Sequence, residues 1–357
     1  MLMGYEIDFL SVGDSNGDAI CIRHGTPALG YNIHITDGGY ADTGQRIIDH
    51  VNQYYGRGSR IANVVLSHQD GDHIAGLIPV VRHFDVGAVW MNRPWLYAAE
   101  ILHAFHGNYT SDGLRRAIRD AYPLLVELEE TALAKGVPVY ESFAGQRIGN
   151  FVVLAPTRER YLTLIPEFDR TPSSYAKPVK GALGRLYDAA KNLASFFETW
   201  ATEALQENPS PTSASNESCV VQLGIFDQKT VLLTADAGPA ALAEAADVAQ
   251  ALGLLHPPAF VQVPHHGSRR NVTPSVLNRW LGPPVQEGSI NRGTAFCSVG
   301  VNKPEYPRKR VSNAFLRRGY PVYKTDSGGW IRHAHDMPNR DGIQPINPVA
   351  FTSWYEE

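Results

Sequence analysis

The apolar run at 61–66 (Ile-Ala-Asn-Val-Val-Leu) leads directly into Ser67-His68-Gln69-Asp70-Gly71-Asp72-His73-Ile74-Ala75-Gly76. The run is short, apolar and closed by polar residues, which predicts a buried strand, and the apolar spacing from Ile74 to about Phe84 predicts a helix. Four metal-ligating side chains, His68, Asp70, Asp72 and His73, therefore share the turn between them. Gly71 eases the backbone there, and the helix start fixes the directions of the four side chains. Singly, these residues would make a polar loop and a helix cap. As H-x-D-x-D-H at a strand end they point to a metal centre that two ions could share.

Strand-like runs at 5–10, 19–23 and 31–36 precede this turn as a meander, and 44–55 carries Ile47, Ile48, Val51, Tyr54 and Tyr55 at helical spacing. A strand at 86–91 follows. Long helical stretches then run from about 95 to 135, with Pro123 breaking the one at 112–133. A strand at 151–154 interrupts them, and Leu183, Leu186, Tyr187, Ala190, Leu193, Ala194 and Phe197 mark a further amphipathic helix. The Pro/Ser-rich stretch 207–217 reads as a linker. Strands return at 220–226, 230–234, 259–263 and 294–299, alternating with helices near 240–252 and from 274. The chain is thus expected to comprise a first core half (1–94), a mostly helical insertion (95–215) and a second core half (216–357). Two sheets from opposite halves give an α/β, four-layer αββα sandwich.

With 357 residues, 43% apolar and 19% charged, the chain can build a large core, which excludes a disordered or fibrous protein. Its net charge of -4 excludes coating nucleic acid through bulk charge and leaves a local basic track open. No stretch has the roughly 18 apolar residues of a membrane span, and Glu6 and Asp8 argue against a signal peptide. Three widely spaced cysteines, Cys21, Cys219 and Cys297, suit free thiols in a reducing compartment, so a cytoplasmic protein without membrane contact is expected.

Further candidates stand at strand ends. Asp37-Gly38-Gly39 closes the third strand, Asp236 follows Leu233-Thr234-Ala235, and His265-His266-Gly267-Ser268 follows the strand at 259–263. With Val12-Gly13-Asp14, Gly17-Asp18-Ala19, the 68–76 motif, Asn216-x-Ser218, Ser298-Val299-Gly300, Asn302 and Tyr323-x-Thr325-Asp326-x-x-Gly329, they form an ordered series. That series resembles the metallo-β-lactamase superfamily, and within it the soluble hydrolase domain of the ComEC DNA-uptake proteins. The resemblance covers about two-thirds of the chain.

The resemblance implies a metallo-β-lactamase sandwich with a dinuclear centre. One ion would be held by His68, Asp70 and Asn216, the other by Asp72, His73 and His266, with Asp236 bridging. Asp37 would orient ligands or the attacking water, and His265 would face the substrate. Asp70 and Asn216 stand where the superfamily commonly has histidines, so the site is richer in oxygen donors. Mn²⁺ is expected to serve better than Zn²⁺, which remains the alternative.

Two ions about 3.5–4 Å apart can activate a water and hold a phosphodiester in line, so no protein nucleophile is needed. With the ComEC resemblance this implies a DNA nuclease in which Asp37, Asp72 and His265 act in catalysis. Ser268, Arg269, Arg270 and Lys303 are the expected substrate contacts, within a wider basic set that includes Arg308, Lys309, Arg310, Arg317, Arg318 and Lys324. A solvated helix face is the alternative for 308–318. Hydrolysis of small phosphodiesters or cyclic nucleotides, hydrolysis of lactams or esters, and a non-catalytic scaffold are the competing functions. Gly13-Asp14-Ser15-Asn16-Gly17 matches the nucleophile elbow of serine hydrolases but is followed by a strand, not a helix. Trp90, Trp95 and Tyr97 could stack on bases, though packing is the simpler role.

Overall fold

The structure is a computed structural model that describes residues 3–176, 195–325, 329–341 and 343–357. Strands β1 (Gly4–Leu10), β2 (Ala19–Thr26), β3 (Gly30–Gly38), β4 (Ile61–Val65), β5 (Val86–Trp90) and β6 (Val139–Tyr140) belong to a first seven-stranded sheet. Strands β7 (Arg147–Ile148), β8 (Phe151–Ala155), β10 (Val221–Phe226), β11 (Lys229–Leu233), β12 (Phe260–Gln262), β13 (Thr294–Cys297) and β14 (Val322–Lys324) make a second. The first sheet is completed by β15 (Trp330–His335), antiparallel to β1. β9 (Ser195–Phe197) and β16 (Trp354–Glu356) form a separate antiparallel pair.

Strand periodicity explains the layering, because alternate side chains face opposite sides of each sheet. Ile20, Ile22, Val231, Leu233, Phe260 and Phe296 meet between the sheets. Their neighbours Ala19, Cys21, Leu232, Val261 and Ala295 face outward into two further apolar clusters. Helices Thr43–His50 and Leu77–His83 cover the first sheet, and Pro239–Ala251, Pro274–Leu281 and Lys309–Arg317 cover the second. The result is the expected αββα sandwich.

The sheets do not divide cleanly between the two halves of the chain. β15 comes from the C-terminal part yet joins the first sheet, and β7 and β8, from the middle of the chain, join the second. Trp95, Leu114, Ile118, Leu125 and Leu128 from the 95–135 helices share one buried cluster with Ile33 and Val64. The break at Pro123 is present, between helices Ser111–Ala121 and Pro123–Ala134. Of the helix expected over 183–197, residues 183–194 lie outside the described residues, and its end is β9. Trp90 donates its indole N–H to Asn63, Trp95 is buried and Tyr97 donates to Glu141, so all three serve packing.

The basic helix is also corrected. Arg310, Arg317 and Arg318 are neither a solvated face nor phosphate contacts: all three are buried and paired with Glu357, Glu198 and Glu203. They fasten β9, β16 and the segment after β9 to the second sheet's outer layer. No helix among the described residues is long and apolar enough to cross a membrane.

The turn after β4 is held against the end of β3 by backbone contact. A Cβ built on Gly76 would lie 1.9 Å from the Gly38 carbonyl oxygen. Gly76→Ala is therefore expected to cost about 1–3 kcal/mol, read as a lowered denaturation midpoint at unchanged m-value.

Candidate metal centre

The site sits where loops after several strands converge. Asp18 immediately precedes β2, Asp37 is in β3, and His68 to His73 follow β4. Asp236 follows β11, His265 and His266 follow β12, and Ser298 follows β13. Six non-glycine residues among those described have positive φ, and four belong here: Asp37 (58°), Ala235 (45°), His265 (46°) and His266 (56°). Left-handed conformations cost roughly 1–3 kcal/mol each in such residues. Their concentration at one point means that the surrounding packing holds side chains where a relaxed loop would not.

Asp18, His73, Asp236 and His266 bring one ligand atom each to within 4.8 Å of one another, all four residues buried. The contacts behind them fix the imidazoles. Asp37 accepts from the Ser67 backbone N–H (2.8 Å) and from His73 Nδ1 (2.8 Å), leaving His73 Nε2 directed at the centre. His266 Nδ1 donates to the Ser298 carbonyl at 2.9 Å, so its Nε2 is also free. Such backing of the second ring nitrogen is how metal-binding histidines are oriented. Gln262 Nε2 donates to Asp18 Oδ2 (2.9 Å), while its Oε1 accepts from the N–H groups of Thr234 and Ala235. One buried amide thus ties the Asp18 loop to the loop carrying Asp236.

A divalent ion fits this donor set. His73 Nε2, His266 Nε2, Asp236 Oδ1 and Asp18 Oδ1 are buried without a hydrogen-bond partner, a cost that proteins seldom leave uncompensated. Burial and the nearby carboxylates of Asp236, Asp37 and Asp72 push Asp18 up to about 8, against the pull of His73. Burial holds His266 down to about 4, which keeps it neutral. For His73, burial alone would lower the pKa, but Asp37 and Asp236 hold it well above the usual imidazole range.

His68 and Asp70 lie beside this cluster. His68 Nε2 is 3.5 Å from Asp70 Oδ2, also buried and unpartnered, and its ring centroid is 4.3 Å from that of His73. Asp70 accepts from Ser215 Oγ at 2.9 Å. Asp72 Oδ2 is 4.0 Å from His73 Nε2 and lines the cavity in front of the centre. Asn216 sits against His265 and Thr212, with its amide 3.0 Å from His265 Nδ1. Asn271 also contacts that nitrogen through Oδ1 (2.9 Å), and its own amide N–H groups are committed to the Asp236 and Ala237 carbonyls. His265 Nδ1 is thus held between the Asn216 and Asn271 amides, and Nε2, 3.4 Å from Asp236 Oδ2, faces the cavity.

The cavity, of about 630 Å³, is lined by Asp70, Asp72, Asn216, Asp236, His265, Ser268, Arg269, Arg270 and Arg308 among others. Lys303 does not line it; it lies in the Gly300–Tyr306 turn. In the sequence Asp18 stands out only within the Gly17-Asp18-Ala19 motif, with no ligand spacing of its own. Gln262 is a single polar residue within an apolar strand and Asn271 one of a polar run after the histidine pair, so neither carries a sequence signal of its own. The Ser298-Val299-Gly300 motif serves the Asp18 loop: Ser298 Oγ donates to the Gly17 carbonyl, and the Gly300 N–H to Asn16.

A family model described as the metallo-beta-lactamase superfamily matches residues 30–284. Comparison with curated proteins finds no match. Among solved structures the chain is similar to Zn²⁺-bound PqqB from Methylobacterium extorquens (12% identity, 93% of this chain, 100% of that one, TM-score 0.40). It is also similar to CmlA, a diiron β-hydroxylase from Streptomyces venezuelae (12%, 91% and 45%, TM-score 0.36), so it spans less than half of that protein. The third is MEM-A1, a subclass B3 metallo-β-lactamase from a soil metagenome library (13%, 77% and 85%, TM-score 0.31).

Two outcomes follow from the contacts behind the ligands. Asp37→Asn removes the charge that holds His73 and should weaken metal binding about 10–100-fold, measured by competition with a chromophoric chelator. In the metal-free protein Asp18 keeps its proton below about 8, and a ligand carboxylate must lose it. Because His73, held protonated by Asp37 and Asp236, must also free its Nε2, metal affinity should rise with pH through about 8 without levelling at the Asp18 value, with proton release seen by calorimetry in buffers of different ionisation enthalpy.

Proposed function

This chain belongs to the metallo-β-lactamase superfamily of metal-dependent hydrolases, and from that premise we propose that it hydrolyses phosphodiesters, with DNA as the substrate. The observation that carries the reading is the cavity in which the candidate centre faces Arg269, Arg270 and Arg308. Divalent ions and guanidinium groups together suit an anionic phosphate, which can take bidentate hydrogen bonds from arginine. The motif series that resembles the ComEC hydrolase domain supports nucleic acid over other phosphodiesters.

Asp18, His73, Asp236 and His266 would hold one divalent ion, and His68, Asp70 and Asp72 are the donors beside it for a second. Such ions supply Lewis acidity and bring the pKa of a water towards neutrality. The protein's own groups do the rest. Asp37 keeps the His73 proton on Nδ1 and so acts as a positioning residue. His265, one-third exposed and braced by Asn271, turns Nε2 to the cavity. In its protonated form it can hydrogen-bond a phosphoryl oxygen or give a proton to the leaving oxygen. Ser268 and the arginines hold the remaining charge.

The test is cleavage of end-labelled single- and double-stranded DNA by the purified protein with Mn²⁺ or Zn²⁺, alongside Asp72→Ala and a bis-aryl phosphodiester dye. Expected are DNA cleavage, its loss in a folded Asp72→Ala protein, and faster turnover with Mn²⁺, because half of the four-residue cluster consists of carboxylates. Full activity in folded Asp72→Ala would refute the site, and equal or better rates with Zn²⁺ the metal preference. Turnover of the dye alone would replace DNA with small phosphodiesters.

A further inference from the structure

Six of the eight arginines from 269 to 318 fall into two groups of different chemistry. Arg310, Arg317 and Arg318 are buried in ion pairs. Arg269, Arg270 and Arg308 pair with no carboxylate among the described residues, and all three line the metal cavity. Guanidinium groups held together without counter-charges repel one another, and that repulsion is relieved when an anion binds between them. Burial and the proximity of Arg310 and Arg308 lower the Arg269 pKa, while Glu357 opposes this.

These cations are fixed to the metal ligands by backbone. Arg269 and Arg270 follow His266 by three and four residues. The Arg308 N–H donates to the Gly267 carbonyl at 3.0 Å, and a Cβ on Gly267 would lie 2.3 Å from Pro307. The loop carrying His265 and His266 and the loop carrying Arg308 are thus pressed together at a glycine that no other residue can replace without a shift. The Arg308 guanidinium lies 4.7 Å from the centre of the Tyr306 ring. Arg269 and Arg270 also line a second cavity, of about 260 Å³, with Phe196, Gln206, Ser210 and Arg310. The two arginines are therefore a ridge shared by the metal cavity and a second basic space beyond it. The carboxylate there, Glu357, is already engaged by Arg310 and the Lys309 N–H.

We propose that this arginine ridge is a second phosphate subsite, which binds a phosphate of the substrate other than the one being hydrolysed. The substrate is then a strand with several phosphates, reading from the metal cavity across Arg269 and Arg270 into the second space, with Arg308 holding the near side. The inference rests on phosphodiester hydrolysis only for the identity of the anion. It goes further in requiring at least two phosphates and in assigning Arg308, in place of Lys303, to binding.

The experiment is fluorescence anisotropy of a labelled octathymidylate with phosphorothioate linkages, which resist turnover, against the Mn²⁺-loaded full chain at several salt concentrations. It compares wild type with Arg270→Gln/Arg308→Gln and uses a neutral methylphosphonate octamer and polyglutamate as competitors. The double variant is expected to bind about 10-fold more weakly, with the log–log salt slope reduced by about 1.4, since each single-strand phosphate contact contributes about 0.7. The methylphosphonate should compete poorly. Unchanged affinity and slope in a folded variant, or equal competition by the neutral octamer, would overturn the subsite. Competition by polyglutamate as strong as that by the unlabelled octamer would also overturn it, in favour of an acidic protein partner. Arginine-dependent binding without DNA cleavage would remove the hydrolytic reading and keep the subsite, whereas cleavage with arginine-independent binding would do the reverse.

Discussion

Everything at the centre depends on burying more lone pairs than the protein itself can satisfy. Two imidazole nitrogens and two carboxylate oxygens converge with no hydrogen-bond partner. The fold spends left-handed backbone at four residues to keep them there. Asp18 and His73 come from loops of the first sheet, and Asp236 and His266 from loops of the second. The same constraint that makes a metal centre therefore also joins the sheets, and Gln262 provides a neutral link between the Asp18 and Asp236 loops.

The site holds both signs of charge. Carboxylates and imidazoles line it together with the guanidinium groups of Arg269, Arg270 and Arg308, which pair with no carboxylate among the described residues. In a metal-free protein these opposite charges would partly offset each other across the cavity. Each divalent ion would add two positive charges among these carboxylates, so attraction for polyanions would rise with metal loading.

Much of this was legible in the sequence, and the limits have physical causes. The turn at 67–76 could be read because four candidate donors, His68, Asp70, Asp72 and His73, are adjacent in the chain, and the αββα layering because strand periodicity is local. Asp18 was harder to assign, since a lone aspartate preceding a strand gains meaning only from Gln262 and His266 in the other half of the fold. The basic helix misled for the same reason: Glu198, Glu203 and Glu357, which neutralise its arginines, are remote in sequence. Lys303 and Arg308 look alike as charges five residues apart, and only the contact between Gly267 and Pro307 brings the second one, and not the first, to the cavity.

The pairing of β1 with β15 places a demand on biosynthesis. Tyr5 is in register with His335, and the fully buried carboxylate of Glu6 is met by Arg332 and Arg340 as well as by Arg23. At ribosomal rates of about 5–20 residues per second, the 326 residues between Glu6 and Arg332 take roughly 16–65 s to make. During that interval β1 has an unpaired edge and carboxylates whose full set of partners does not yet exist. An early strand that must wait for a late one makes this sheet complete only after β15 has been made. It also makes the nascent first half the form of the chain most in need of protection from edge-to-edge association.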